Sequence, residues 1–344
     1  DAIWSNVSET VLSTTISNSS KLKISTIEHL MSALSGLHID NLTIYIDASE
    51  VPIMDGSSKP FVDLIENVGI EVQNKKRKVL NVKKVIEVKS NQSSAKIIPN
   101  NQFSIDFEID FPSQLVSKQS CQLQLINGNY KSDIAAARTF GFEKDVEYLR
   151  ANGLALGGSL DNAVVVGENE ILNKDGLRYT DEFVRHKILD SIGDLYLAGS
   201  PIIGYFYGNK SGHHLNNELL RKLFSDKSNF LLLTNSALEK SKESLQEILK
   251  ELASQIRPFP GFLNMQTIQA IEIPVPKEYS DKYGCVVVLP NGEINEIILK
   301  TIPAPESLGE IDQTEEYLEL DMPIIERIVY LYNAIITLSE INSD

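Results

Sequence analysis

Three of the five histidines in this chain of 344 residues lie beside residues that could complete a hydrolytic metal site. His29 directly follows Glu28, His186 precedes Asp190 by four residues, and His213 ends a glycine-containing loop. Two histidines and one carboxylate would hold a zinc ion with one coordination position open. A neighbouring glutamate and a further histidine would supply a base and an acid. These residue types are the minimum set for metal-assisted hydrolysis.

The strongest spacing signal is the pair formed by His186 and Asp190. Residues i and i+4 share one face of a helix, so both side chains could reach one ion. Asp194 continues the same face one turn later, where it could orient a neighbouring histidine. Each pattern alone also fits a purely structural role. Such His-Asp pairs are common on solvated helix faces, and histidines near helix starts are often buried or capping. Their joint occurrence favours the metal site.

Apolar periodicity predicts the elements that carry these residues. Thr26 is the predicted N-cap of a helix ending at Gly36, and Asp181 begins a helix of about 18 residues. Asp133 is the predicted cap of a short helix. Further helices are predicted at 60–68, 143–151, from 216 onward, at 242–256 and at 323–338. Strands are predicted at 41–47, 79–88, 103–110, 163–166 and 202–207, with a hairpin at 284–300 around an Asn-Gly turn.

Composition excludes several classes of protein. A net charge of −15 argues against nucleic-acid binding, and a 42% hydrophobic content supports packed cores. The two cysteines, Cys121 and Cys285, lie far apart in the chain, which fits a reducing cytoplasm. No apolar run reaches about 18 residues, so we expect no transmembrane segment. The first residues do not form a signal peptide, and we expect a cytoplasmic protein.

Four stretches carry a family resemblance. They are STIEHLMSAL at 25–34, VPIMDGS at 51–57, ARTFGF at 137–142, and DEFVRHKILDSIGD at 181–194 with KSGHHLNN at 210–217. In sequence and order they resemble the zinc-dependent UDP-3-O-acyl-N-acetylglucosamine deacetylases of lipid A biosynthesis in Gram-negative bacteria. The resemblance extends from residue 1 to about residue 236 and leaves the tail unrecognised.

The resemblance implies an α+β fold of two similar domains, each a small sheet packed on a pair of helices, with the active site between them. Residues 1–75 would form the first domain and 76–236 the second. Family members begin earlier, so we expect the first domain to lack its N-terminal strands. Residues 237–344 would form an additional α+β extension of unknown role.

The resemblance also implies roles for individual residues. The zinc ligands, for which Fe²⁺ is an alternative ion, would be His29, His186 and Asp190. Glu28 would be the general base and Thr139 would donate its hydroxyl to the oxyanion. His213 would protonate the leaving amine, and Asp194 would hold and charge-stabilise His213.

The substrate implied by the resemblance is a UDP-linked amino sugar that carries one acyl chain. Phosphates need cations, and Lys187 and Lys210 are the candidates by position, while Phe140 would pack on the nucleotide or sugar. Leu12 lies where the family lines the acetyl pocket. The predicted acyl channel, for which ordinary core packing is the alternative, is formed by Val146, Leu149 and Val165.

We therefore expect hydrolysis of the N-acetyl group of UDP-3-O-[(3R)-3-hydroxyacyl]-N-acetylglucosamine to UDP-3-O-acyl-glucosamine and acetate, the committed step of lipid A synthesis. Two alternatives stay open. One is a folded but catalytically impaired binding protein. The other is a protein-interaction module in the tail, which would recruit a partner through a predicted acidic connector at 306–321 or through the closing helix.

Overall fold

The computed structural model describes residues 1–125, 129–254, 271–273, 285–289, 292–302, 312–319 and 324–341. The chain forms two compact units, Asp1–Leu233 and Thr234–Asp344. Both mix helices with strands, which confirms the predicted α+β class. The predicted division of the first unit near residue 75 stays a prediction.

Helices and strands alternate irregularly along the chain. The α-helices are α1 (Glu28–Gly36), α2 (Lys59–Val68), α3 (Tyr130–Asp133), α4 (Val146–Ala151), α5 (Glu182–Tyr196), α6 (His213–Phe224), α7 (Asn235–Ser254) and α8 (Ile324–Ile341). The strands of the first unit are β1 (Val7–Glu9), β2 (Thr15–Ser17), β3 (Lys23–Ile24), β4 (Lys78–Val82), β5 (Ile86–Ser90), β6 (Ser93–Ile98), β7 (Phe103–Asp110), β8 (Lys118–Gln124), β9 (Phe140–Phe142), β10 (Val164–Val166), β11 (Ile202–Asn209) and β12 (Phe230–Thr234). The remaining strands are β13 (Ile271–Glu272), β14 (Cys285–Val288), β15 (Ile294–Ile302) and β16 (Asp312–Glu319).

The N-terminal sheet is small, with β1, β2 and β3 paired antiparallel in that order. The strand predicted at 41–47 is not formed, and this prediction was wrong. Leu42 and Tyr45 of that segment are exposed. An alternating apolar pattern becomes a strand only where a neighbour completes its backbone hydrogen bonds, and no described residue pairs with this segment as a strand.

The large sheet has seven strands, and β11 lies at its centre. One edge of β11 pairs with β4 and then β6, and the other edge pairs with β7. The single strand predicted at 79–88 is divided into β4 and β5. The chain bends at Lys84 between the two strands, and the backbone N–H of Lys83 donates to Asn229, just before β12. The strands predicted at 103–110, 163–166 and 202–207 are confirmed as β7, β10 and β11.

Helix α5 is the most deeply buried helix segment that carries site residues, and it packs directly on α1. A Cβ atom at Gly193 would lie 2.1 Å from the backbone oxygen of Glu28, so glycine permits the contact between the two helices. The helix predicted to begin at Asp181 is confirmed, with Asp181 immediately before its first turn. Because the two backbones approach so closely, side chains of α1 can contact side chains of α5 directly.

Three polar residues predicted to start helices do not do so, and the helix predicted at 242–256 already begins at Asn235. Thr26 does not cap α1, because its hydroxyl donates to Glu50 and its backbone has a φ of 56°. Asp133 ends α3 instead of starting it. Asn216 lies inside α6, which begins at His213. In each case a polar residue that suits a cap has a different partner or position in the folded chain.

The second unit has its own core. An antiparallel sheet in the order β13-β14-β15-β16 accompanies α7 and α8, and buried side chains such as Leu249, Val288 and Tyr330 pack together. The hairpin predicted at 284–300 is confirmed as β14 and β15, although its turn residues 290–291 lie outside the described residues. The prediction of an acidic connector at 306–321 was wrong for residues 312–319, which form strand β16. The other residues of that range lie outside the described residues. A high density of acids does not prevent backbone pairing along β15.

No helix among the described ranges combines the length and the apolar character needed to cross a bilayer.

Candidate metal and catalytic site

Two helices bring the proposed metal ligands together. His186, Asp190 and Asp194 lie on successive turns of α5, as their spacing predicts. Glu28 and His29 form the first turn of α1. All five residues are buried. The close contact of α1 with α5 therefore unites residues that are more than 150 positions apart in the chain.

His29, His186 and Asp190 form a group that could hold a metal ion. Asp190 Oδ1 lies 3.6 Å from His29 Nε2 and 3.3 Å from His186 Nε2. His186 Nδ1 donates to the carbonyl oxygen of Ala137 at 3.1 Å, so the Nε2 lone pair is directed at the group. Asp190 Oδ1 is buried without a hydrogen-bond partner among the described residues. A cation would satisfy this oxygen, and the three donors therefore fit a metal ion.

The protonation states suit metal binding. Burial lowers the pKa of His186 to about 3, so its imidazole is neutral near pH 7. Burial opposes the ionisation of Asp190, but His186 and Lys187 hold the pKa of its carboxyl well below the usual range. Neutral imidazoles and an ionised carboxylate are the forms that bind a divalent ion.

Both lysines predicted to bind phosphate are paired with carboxylates. Lys187 Nζ lies 2.6 Å from Asp190 Oδ2, whereas Oδ1 is the oxygen paired with His29 and His186. Burial disfavours the Lys187 ammonium, but Asp190 outweighs it and raises the pKa of Lys187. Lys210 Nζ lies 2.6 Å from Asp110 Oδ2. Lys187 therefore orients the carboxylate of Asp190, and phosphate binding by either lysine stays a prediction.

The proposed base and acid lie on opposite sides of a narrow gap. His213, the first residue of α6, places Nε2 3.9 Å from Glu28 Oε1. Burial raises the pKa of Glu28, although His213 opposes this shift. Burial disfavours the His213 imidazolium, but Asp194 and Glu28 outweigh it and raise the pKa of His213 to about 9. The imidazole of His213 is thus protonated near neutral pH.

Asp194 positions His213 as its spacing on α5 suggested. Its Oδ2 atom accepts from His213 Nδ1 at 2.8 Å and from Asn216 Nδ2 at 2.9 Å. Asn216 is fully buried and also accepts from Ser211. Our interpretation of the sequence missed Asn216 as part of the site. Its position three residues after His213 on one helix was a usable signal.

Thr139 is held rigidly by its backbone. Its N–H donates to Gly56 at 2.7 Å and its carbonyl accepts from Val164 at 2.7 Å. Gly56 has a φ of 85°, and a Cβ there would lie 2.2 Å from the carbonyl oxygen of Asn162. The loop at 51–57 therefore serves to hold Thr139, two residues after the carbonyl that orients His186.

A buried ion pair next to Thr139 was also missed. Glu182 Oε1 accepts from both the backbone N–H and the Nε of Arg138, and Glu182 is fully buried. Its Oε2 accepts from the backbone N–H of Arg178 at 2.6 Å. The sequence held no clear signal for this pair, because Arg138 and Glu182 are 44 positions apart.

The remaining predicted substrate residues lie around this cluster. Phe140 packs edge-on against Phe183, with ring centroids 4.9 Å apart, and its ring also faces His186. The three predicted acyl-channel residues and the acetyl-pocket residue occupy α4, β10 and the loop before β2. Val146, Leu149 and Val165 are half-buried, and Leu12 is exposed with a φ of 61°. Their substrate contacts stay predictions.

Comparisons with known proteins agree with this arrangement. Residues 1–225 match the family model described as UDP-3-O-acyl N-acetylglycosamine deacetylase (LpxC). A UDP-3-O-acyl-N-acetylglucosamine deacetylase of Syntrophus aciditrophicus is 52% identical over 225 residues, which cover 65% of this chain and 71% of that protein. A deacetylase of the same name from Shewanella loihica is 48% identical over 239 residues, which cover 69% of this chain and 77% of that protein. The chain, through its first 225 residues, belongs to the UDP-3-O-acyl N-acetylglycosamine deacetylase family.

Proposed function

We propose that this chain hydrolyses the N-acetyl group of UDP-3-O-acyl-N-acetylglucosamine, which yields the free amine and acetate, in lipid A biosynthesis. The observation that carries the proposal is the buried cluster in which α1, α5 and α6 unite a possible metal-ligand group with a carboxylate and a charged imidazole. Family membership supports the substrate class. The cytoplasmic location expected from the sequence stays a prediction.

Zinc is the proposed ion and Fe²⁺ the alternative, held by His29, His186 and Asp190. When bound, the ion would polarise the acetyl carbonyl and make water more acidic. The Lys187 ammonium favours the ionised form of Asp190 and donates a hydrogen bond to its Oδ2 atom. Oδ1 is therefore the oxygen available to the ion. The remaining steps depend on the chain's own side chains.

Glu28 is the proposed general base. Its Oε2 accepts from the backbone N–H of Thr14 at 3.0 Å, while Oε1 faces the gap towards His213. Burial raises its pKa, which makes the carboxylate a stronger base than an exposed glutamate. Glu28 would take the proton of the attacking water as the new bond to the acetyl carbon forms.

His213 is the proposed general acid. An amide nitrogen is a poor leaving group until it is protonated, and His213 carries the required proton on Nε2 near neutral pH. Its Nδ1 proton is donated to Asp194, so the ring orientation is fixed. Thr139 would donate its hydroxyl to the oxyanion that develops on the acetyl carbonyl.

The parts of the substrate outside the acetyl group would be bound by residues around the catalytic cluster. We propose that Lys187 and Lys210 face the phosphates, that Phe140 packs on the sugar or nucleotide, and that Leu12 borders the acetyl group. The half-buried state of Val146, Leu149 and Val165 suits an apolar channel for the acyl chain. The complete set of paired catalytic groups supports hydrolysis over a catalytically impaired binding protein.

The second unit has a core of its own, and a role in recruiting a protein partner stays a prediction.

The test is release of free amine from UDP-3-O-acyl-N-acetylglucosamine by the purified full chain with one equivalent of zinc. We expect turnover that a chelator abolishes and that zinc restores. Fe²⁺ added to the metal-free chain would identify the alternative ion. A folded chain that binds zinc but releases no amine would contradict the proposal.

A further inference from the structure

A single buried threonine connects the proposed base to the partner of the proposed acid. Thr14 lies just before β2, and only 1% of its surface is exposed. Its backbone N–H donates to Glu28 Oε2 at 3.0 Å. Its hydroxyl donates to Asp194 Oδ1 at 2.5 Å. One residue therefore contacts two carboxylates that belong to different helices.

We propose that Thr14 is a positioning residue that holds Glu28 and the Asp194–His213 pair in register for the two proton transfers. This proposal rests on the proposed function.

The contacts form a ring with one gap. Thr14 joins Glu28 to Asp194, and Asp194 Oδ2 lies 2.8 Å from His213 Nδ1. The ring would be closed by His213 Nε2 and Glu28 Oε1, but these atoms are 3.9 Å apart. The gap is the place where the water loses a proton and the amine gains one. Thr14 makes two of the three closed contacts, so we infer that it holds the two sides of the gap at this distance.

The direction of each hydrogen bond follows from the chemistry of the partners. An ionised carboxylate only accepts, so the Thr14 hydroxyl must donate to Asp194. Asp194 Oδ2 already accepts from His213 and Asn216, and Asp194 Oδ1 accepts from Thr14. The Thr14 carbonyl also accepts from Ile27, the residue before α1, at 3.3 Å. Thr14 thus fixes both the side chain of Glu28 and the start of its helix.

The neighbouring residue supplies a matched control. Thr15 is also buried, with 3% of its surface exposed, and its hydroxyl donates to Ser25 Oγ at 3.0 Å. Substitution of Thr15 by valine removes a buried hydroxyl of the same kind, one residue away. A general loss of packing or stability would affect both positions, whereas a loss of catalytic alignment would affect Thr14 alone.

The experiment measures kcat and KM of the zinc-loaded full chain for Thr14→Val, Thr14→Ser and Thr15→Val. We expect Thr14→Val to lower kcat roughly 10- to 100-fold, because a hydrogen bond to a charged group is lost, with KM changed by less than about twofold. Thr14→Ser keeps the hydroxyl and should restore kcat to within about threefold of wild type. Thr15→Val should leave kcat within about twofold of wild type.

A spectroscopic readout separates alignment from stability. The His213 Nδ1 proton, shared with Asp194, should give a downfield NMR resonance in the wild-type chain. Thr14→Val should shift it, because Asp194 Oδ1 loses the hydroxyl that donates to it, and Thr15→Val should not. Equal kcat in Thr14→Val and wild type, with an unmoved resonance, would overturn the proposal. An inactive wild-type chain would instead reject the proposed function, and the resonance would still decide the role of Thr14.

If the Thr14→Val chain does not fold, two further measurements test the proposal. Thr14→Ala removes the hydroxyl without placing a methyl group against Asp194, and the same losses are expected. In the wild-type chain, the Thr14 hydroxyl proton should exchange slowly with water, since it is buried and bonded to a carboxylate. Exchange as fast as that of an exposed threonine would overturn the proposal without any substitution.

Discussion

Asp190 and Lys187 form a pair within one helix, with Nζ 2.6 Å from Oδ2, and the pair leaves Oδ1 directed at two histidines. The two oxygens of the Asp190 carboxylate therefore have different surroundings. One oxygen is held by an ammonium group, and the other has no hydrogen-bond partner among the described residues. This arrangement explains why a buried acid can stay ionised and still have a free lone pair for a metal ion.

Asp190→Ala should abolish tight zinc binding, because it removes the only carboxylate of the ligand group. It also leaves the half-buried Lys187 ammonium without its partner, so we expect a loss of about 1–3 kcal/mol in the stability of the metal-free chain. Metal content after dialysis and denaturant unfolding measure the two effects. Asp226→Asn, at an exposed aspartate, is the control. Retention of one tight zinc ion by Asp190→Ala would contradict the ligand assignment.

Glu28→Gln should keep the metal and lose turnover. Glutamine is isosteric and can still accept from Thr14, but it cannot take a proton, so kcat should fall about 10²- to 10⁴-fold. Zinc content and amine release, measured on the same preparation, separate the two properties. Full activity in this variant would refute the role of Glu28 as base.

Asp194→Asn should move the alkaline limb of the pH–rate profile to lower pH. Burial disfavours the imidazolium, and Asp194 is the largest contribution that raises the pKa of His213 to about 9. The acid form of His213 is present below its pKa and is lost as the pH rises through it, so a lower pKa ends activity earlier. The logarithm of kcat/KM against pH measures the shift. An alkaline limb that does not move would show that His213 is not the titrating acid.

The same shift affects stability. A raised folded-state pKa means that His213 stabilises the metal-free chain fully below its unfolded pKa of about 6.5. That contribution should be lost as the pH rises towards about 9. Urea unfolding of the metal-free wild type and of His213→Gln, across this range, measures the difference. A difference that grows with rising pH would have the wrong sign.

Gly193→Ala should separate α1 from α5. The added Cβ would lie 2.1 Å from the Glu28 backbone oxygen, and backbone atoms on two packed helices cannot yield without moving a helix. We expect a destabilisation of about 1–3 kcal/mol, together with weaker zinc binding. Gly157→Ala, where a Cβ meets no atom within 4 Å, is the control. Unchanged unfolding and metal affinity in Gly193→Ala would show that the helices tolerate a wider spacing.

Arg138→Met should destabilise the chain by about 3–5 kcal/mol, because Glu182 is left as a buried charge without its partner. Adding Glu182→Leu should recover much of that loss. Denaturant unfolding of the single and double variants forms the cycle. A double variant no more stable than Arg138→Met would show that the pair does not act as a unit.

Much of the site could be predicted from local sequence. The spacing of His186, Asp190 and Asp194 determines a shared face on any helix that contains them, because the helical repeat depends only on the backbone. Apolar patterning along the chain also predicted helices α2 and α5 and strand β7. Predictions failed where a polar residue that suits a helix cap makes a different hydrogen bond in the folded chain. Thr26 suits an N-cap by type, yet its hydroxyl donates to Glu50.

The arrangement of these faces came only from the tertiary structure. Thr14 and Asp194 are 180 positions apart, and Arg138 and Glu182 are 44 apart, so no local pattern relates them. The segment at 41–47 shows that a local pattern alone is not sufficient. Its sequence alternates as in a strand, but it forms none, because no described residue pairs with it as a strand.

The sequence by itself determined the types of the chemical groups, their faces on each helix and the family to which they belong. The tertiary structure decided which oxygen of Asp190 lies towards His29 and His186, that Thr14 contacts both Glu28 and Asp194, and how buried each charge is. The physical reason is that pKa values and hydrogen-bond partners depend on distances of a few ångströms between elements. Those distances are set by side chains from every part of the core at once.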